Sequence, residues 1–415
     1  MEAVLERLET NAAVADGARR AAWALAPRDL AVRARIRMSV IDAFRAEGIT
    51  ESDLAATWGY GYDDPARERY ESLLARIFRA ERALARLTLV SGTQAIVTTL
   101  AACASPGDAI LSATGRPYDT LHHALVTAPH ALTTRGIRYE EVPLAGGRVD
   151  GEALVARVRE LRPRLLFVQR SRGYAPEPSR SVDDIGEIVK VAHSAATRPL
   201  VVVDNCYGEF VEAREPLEVG ADAIVGSLIK NVGGSLAPTG AYVAGSSEIV
   251  ERVAAYHYAP GLGDAVGPNL GFGRALVQGL FLAPLLVGEA LRGLDFAAAL
   301  FSELGYEVEP AAGGHRTDIV QAIALRERAT VLRFAAALQA VLPVNARFAP
   351  VPGTVPGYTD QVVMSSGAFI PGSTLELSCD APLRPPFQVY LQGGTVAEHV
   401  ALGALAAAQA VVSGR

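Results

Sequence analysis

The stretch PLVVVDNCYGEFVEAREPLEVGADAIVGSLIKNVGG, residues 199–234, decides how the rest of the chain is read. It holds two short apolar runs, PLVVVD and ADAIVGS, each ending in polar or small residues. Runs of that length, rich in Val and Ile and separated by helical patterns, read as strands of a mostly parallel sheet buried on both faces. Open parallel sheets bind ligands beyond the carboxyl ends of their strands. Asp204 and Lys230 fall just there.

The lysine is unusual by count: of 39 Lys and Arg side chains only two are lysine, Lys190 and Lys230. Arginine stays protonated in any protein site, whereas a lysine amine can lose its proton and attack a carbonyl carbon. Lys190, in GEIVKVAHSA, reads as part of a solvated helix face.

Working outward, the runs LTLV, AILSA, IRYEEVPL, RLLFVQ, PLVVVDN, ADAIVGS and AYVAG alternate with helical patterns between Leu87 and Gly245. They predict a seven-stranded, mostly parallel sheet in a large α/β domain over residues 56–260. Residues 1–55 have apolar positions at helical spacing and form an expected N-terminal helical arm, followed by the Gly/Tyr/Asp loop WGYGYDD and a helix. The Gly/Pro-rich region 246–290 is expected to carry the chain out of the large domain. Residues 261–415 then supply linker helices and a smaller C-terminal α/β domain.

With 415 residues, half of them apolar, the chain can bury one large core and a smaller one. A net charge of -6 without a basic patch argues against nucleic acid or an anionic membrane as partner and leaves small acidic or zwitterionic substrates open. The N-terminus lacks the order of a secretory signal. The apolar run from Ala275 is interrupted by Gln278 and Pro284, short of a spanning helix. A cytoplasmic address is expected. Cys103, Cys206 and Cys379 match no metal or disulfide spacing and read as buried small apolar residues; no metal is expected.

Asp204 stands where a carboxylate either holds a heteroaromatic nitrogen protonated or caps a turn. Lys230 follows one crossover and one strand later, so both side chains can reach the same sheet edge. A lysine for the aldehyde and an aspartate for the pyridine nitrogen is the pairing that pyridoxal 5'-phosphate requires. In VSGTQAI, the small residues Ser91, Gly92 and Thr93 lie between an apolar run and a helical pattern, where backbone amides can approach a phosphate or simply begin a helix. SLIK also spells the S-x-x-K of penicillin-recognising acylases, with Ser227 as nucleophile, but the accompanying S-D-N and K-T-G strings are missing. GLGDAVG at residue 261 has the wrong glycine spacing for a dinucleotide site.

Taken together, GYGYDD, SGTQAI, TGRPYDTL, QRSRGY, VDNCYGEFVE, EVGADAIVGSLIKN, APTGAY, PGYTDQVVM, LELSCDAPLRPP and YLQGG resemble the pyridoxal-phosphate enzymes called methionine gamma-lyase-related or aluminium resistance proteins. The similarity runs over roughly residues 55–410. It implies the fold-type-I architecture of cystathionine lyases, with homodimers or homotetramers sharing active sites. By position it makes Lys230 the lysine bonded to the cofactor and Asp204 the partner of the ring nitrogen, with Ser91, Gly92, Thr93 and Ser227 at the phosphate. Tyr118 would stack on the ring and act in catalysis, and Gln169 would lie near the phenolic oxygen. Tyr60 and Tyr62, with Arg67 behind them, resemble the segment that reaches a neighbouring subunit's cofactor. Arg384, Arg170 and Arg172 are the expected substrate contacts. Gln94, also expected near the substrate, stands where the family pattern has histidine, and Arg116 where it has lysine; glutamine cannot titrate near neutral pH.

The resemblance implies a carbon–heteroatom lyase that eliminates a group from Cβ or Cγ of an amino acid with a sulfur-containing or halogenated side chain. An aminotransferase or racemase with the same cofactor, a serine acylase, and a non-catalytic cofactor-binding protein are the alternatives.

Overall fold

A computed structural model describes residues 1–414. The chain forms two compact units, one of Ala34–Ala283 and one of Met1–Arg33 with Pro284–Arg415.

The unit Ala34–Ala283 is built on a seven-stranded sheet in the order Arg82–Arg86, Ala241–Gly245, Ala223–Ser227, Leu200–Asp204, Leu165–Gln169, Ala109–Ser112, Arg138–Glu141. Ala241–Gly245 runs against both of its neighbours, and the other pairs are parallel. Phe167, Val202, Val225 and Val243 meet Ile96 and Leu100 of the helix Gly92–Cys103 and Val250 and Val253 of Ser247–His257 in one apolar cluster. Leu166, Val168, Val201, Val203 and Ile224 alternate to the other face and are also fully buried. Burial on both faces explains why these strands lack a polar stripe.

The first strand differs from expectation. Leu87–Val90 form the turn into the helix, and the strand is Arg82–Arg86, antiparallel to Ala241–Gly245. Its sequence, RALAR, hides the strand because Arg86 is buried; its guanidinium pairs with Glu71 and donates to the Asp264 carbonyl.

Residues 246–290 are largely helical, as Ser247–His257 and the start of Gly273–Glu303, and the first unit runs on through Ala283. The helix Gly273–Glu303 runs 31 residues with Pro284 inside it, so neither Gln278 nor Pro284 ends the apolar run. It is long and apolar enough to cross a membrane by length and composition alone, and half of its apolar window is buried inside the protein.

The second unit has an antiparallel five-stranded sheet in the order Glu307–Glu309, Val320–Ala324, Gln388–Gln392, Ser378–Pro382, Val362–Ser366. The helices Arg328–Gln339 and Ala397–Ser413 contribute the buried Val331, Phe334, Val400 and Leu405. Ala12–Ala21 from the start of the chain joins this unit, where the Asn11 amide donates to Gln409 Oε1 at 2.8 Å.

Candidate active site

Strand register brings the polar residues together. Gln169 is level with Asp204, and Asp204 with Val225, so three neighbouring strands end along one edge. Ser227 closes the third strand, and a short turn puts Lys230 three residues beyond it.

The helix Gly92–Cys103 points its N-terminus at this edge. Ser91 caps it in extended conformation, its Oγ accepting from the Gln94 amide at 3.1 Å, which leaves the Gly92 and Thr93 amides at the helix head as donors. A Cβ on Gly92 would sit 3.3 Å from Cys206 Sγ and 3.4 Å from Ser227 Cβ, so only glycine lets the helix head come this close without displacing its neighbours. Thr93 Oγ1 and the Tyr118 hydroxyl are 2.7 Å apart, and the Tyr118 amide donates to Gln169 Oε1 at 2.9 Å. Gln169 Nε2 in turn donates to the Ser171 carbonyl at 2.7 Å. Thr93, Tyr118 and Gln169 thus form one connected set.

Electrostatics tie that set to Asp204 and Lys230. Burial raises Asp204 above the usual carboxylate range, against the pull of hydrogen bonds from Cys206 and the charge of Lys230. The Cys206 amide donates to Asp204 Oδ1 at 3.1 Å. Burial and the Asp204 charge push Tyr118 well above the ordinary phenol value, so it keeps its proton. Burial pulls Lys230 down, but Tyr207, Cys206 and Asp204 together outweigh it and leave the amine above the ordinary lysine value. Lys230 Nζ lies 3.7 Å from the centre of the Tyr207 ring.

Ser91, Gly92, Thr93, Tyr118, Gln169, Asp204, Ser227 and Lys230 therefore gather in this one unit. An amine just beyond one strand, a carboxylate ending the adjacent strand, a helix head with open amides and a half-buried phenol make a donor set that fits pyridoxal phosphate. Ser227 is buried at its strand end.

The four expected substrate contacts meet these partners. Arg170 is fully buried: Nη1 donates to Asn205 Oδ1 at 2.6 Å and to Glu215 Oε2 at 3.2 Å, and Nη2 to Glu212 Oε2 at 2.9 Å. Its expected role with the substrate is corrected to a structural one, because its charge is spent inside the protein. Gln94 turns back on its own helix start, Oε1 accepting from the Val90 amide at 2.9 Å. Arg172 is buried, with its amide on Ser179 Oγ at 3.0 Å. Arg384 belongs to the other unit, where Nη1 is 3.5 Å from Asp360 Oδ2.

Tyr60 and Tyr62 are 74% and 56% exposed, with ring centres 5.7 Å apart. Their loop is held from below by buried Arg67, whose Nη1 donates to the Gly61 and Gly267 carbonyls at 2.7 and 3.0 Å. Sequence reasoning missed Tyr207 and the acids behind it. The Tyr-Gly pair directly after the Asp204 strand end was the available signal.

Such a site on such a sheet defines a pyridoxal-phosphate-dependent enzyme of fold type I. The chain belongs to the methionine gamma-lyase family, whose model matches residues 28–412, and its cofactor is pyridoxal 5'-phosphate. It is 38% identical over 366 residues, 87% of each chain, to the uncharacterised protein YnbB of Bacillus subtilis (strain 168). Among solved structures, a carbon-sulfur lyase involved in aluminium resistance from Clostridium novyi NT superposes with a TM-score of 0.92 at 34% identity, covering 98% of both chains. The L-methionine gamma-lyase of Pseudomonas putida is 30% identical over 198 residues, 47% of this chain and 45% of that one.

Proposed function

We propose that the enzyme is a carbon–heteroatom lyase acting on an amino acid, with a thiolate as the leading candidate for the leaving group and halide as the other. The observation that carries this reading is the shared sheet edge: Asp204 ends one strand, Lys230 follows the end of the next by three residues, and the helix head at Gly92 packs against Ser227 beside them.

In this reading Lys230 would hold the cofactor through its aldehyde and Asp204 would serve the ring nitrogen. Gly92, Thr93 and Ser227 would hold the phosphate, Tyr118 would cover the ring and Gln169 would serve its phenolic oxygen. Pyridoxal phosphate, when bound, supplies an electron sink for the pair left on the substrate's Cα. The Lys230 amine, once free, would take the Cα proton as general base. For a leaving group on Cγ, Lys230 also carries the second proton, from Cβ. Tyr118, held protonated by desolvation and the Asp204 charge, would be able to donate to the departing heteroatom. Arg384, with a planar fork, is the candidate for the substrate carboxylate.

We take the enzyme to be a cytoplasmic homodimer or homotetramer. The exposed Tyr60 and Tyr62 on a firmly held loop support a shared site.

The test is the visible absorbance of the purified, cofactor-loaded protein with and without Lys230→Ala, followed by assays for ammonia and 2-oxo acid across a panel of sulfur and halogenated amino acids. The band of the lysine-bound cofactor disappears in the variant; if it persists, Lys230 is misassigned. Ammonia and 2-oxo acid appear together in elimination, whereas a racemase releases neither and an aminotransferase retains the nitrogen on the cofactor.

A further inference from the structure

We infer that Tyr207 is the seat of the Lys230 amine, a positioning residue whose ring face receives the ammonium and keeps it at the Asp204 edge of the sheet. The inference rests on the reading of Lys230 as the cofactor-bearing lysine.

The first observation is contact. Lys230 Nζ stands 3.7 Å from the centre of the Tyr207 ring, well inside the range over which an aromatic face attracts a cation. The second is backbone geometry. Tyr207 has φ of 70°, a left-handed conformation that is costly for a bulky side chain and persists only where its surroundings impose it. Phe210, at φ 65°, shares the constraint.

The surroundings are identifiable. The Asn205 amide donates to the Val225 carbonyl at 2.8 Å and the Gly208 amide to the Asn205 carbonyl at 3.0 Å. Phe210 donates its amide to Glu215 Oε1 at 2.9 Å. Arg170 lies flat against Gly208, where a Cβ would come within 2.4 Å of its Nε, and bridges Asn205 to Glu215. The buried ion cluster around Arg170 thus grips both ends of the loop that presents Tyr207. A side chain fixed this firmly, in a backbone conformation it would not choose, serves the group it faces.

The ionisable groups around the amine are Asp204, Cys206 and Tyr207; Tyr118 faces Asp204, and Glu209 faces Cys206. Burial pushes the Cys206 thiol far up, so it carries no charge near neutral pH. Support for the ammonium then falls to Asp204 and Tyr207. With the lysine free, the seat would keep its amine at the Asp204 edge of the sheet.

The chain offers a clean test because it has two lysines only. In the full-length protein stripped of cofactor and labelled with carbon-13 lysine, two side-chain signals appear, with exposed Lys190 as internal reference. The seat predicts that the Lys230 side-chain protons lie upfield of those of Lys190, displaced by the ring current, in the unaltered protein. In Tyr207→Leu that displacement vanishes and the Lys230 titration midpoint falls by about one pH unit, or roughly tenfold more neutral amine at a given pH. Tyr207→Phe keeps the displacement, with a smaller fall. Coincident Lys190 and Lys230 signals in the unaltered protein overturn the proposal even if the variants do not fold, as does an unmoved midpoint in a folded Tyr207→Leu. Because no cofactor is present, this outcome is separate from the absorbance test of Lys230→Ala.

Discussion

Glu209→Gln tests the electrostatics of the layer beneath Lys230. Glu209 is completely buried; Oε1 accepts from the Tyr242 hydroxyl at 2.9 Å, Oε2 has no hydrogen-bond partner among the described residues, and its carbonyl accepts from Asn231 Nδ2 at 2.9 Å. Burial first, helped by the nearby Glu215 charge, pushes its carboxyl up to about 8, against the pull of its hydrogen bonds and of Arg170. The folded state thus binds this proton more tightly than the unfolded chain. The contribution is fully present below about pH 4.5 and is lost as the pH rises to about 8. Each pH unit inside that window is worth about 1.4 kcal/mol, so between pH 5.5 and 7.0 the native protein loses about 2 kcal/mol through this group. Glutamine imitates the protonated acid, since its amide oxygen can still accept from Tyr242, but it does not titrate. Urea unfolding of both proteins at pH 5.5 and 7.0 reads the difference: the stability of Glu209→Gln relative to the parent rises by about 2 kcal/mol over that interval. A relative stability that stays flat across it would refute a neutral Glu209, whatever the absolute values.

Replacing Arg170 with Met strands Glu212 and Glu215, which accept its charge in the buried cluster, and should cost on the order of 3–5 kcal/mol. A loss under 1 kcal/mol in the same unfolding assay would show that the cluster does not hold the loop. Gly226→Ala places a Cβ 2.5 Å from Tyr242 Cε1 and 2.6 Å from Glu209 Oε1. Overpacking should destabilise the protein by about 1–3 kcal/mol, lowering the urea midpoint, and an unchanged midpoint would mean that the layer has slack.

Much of the large unit was legible because its strands are short apolar runs buried on both faces, a local property of the sequence. Six of its seven strands overlap the expected runs in position. The other, Arg82–Arg86, was misplaced because charged residues bound it and Arg86 is neutralised by Glu71, a partner that a hydrophobic pattern cannot reveal. The helix start at Ser91 was legible for the same local reason, since a cap acts on the amides next to it.

The sequence by itself determined that a titratable amine and an acid stand at the ends of two strands, with small residues opening a helix. Only the tertiary structure decided what those groups meet. Arg170 looked like a substrate contact until folding set it against Asn205 and Glu215, 35 and 45 residues away, and Tyr207 had no visible role until its ring lay under Lys230. Such pairings depend on strand register and loop conformation, which arise from the packing of many distant side chains at once, and no local run of residues carries them.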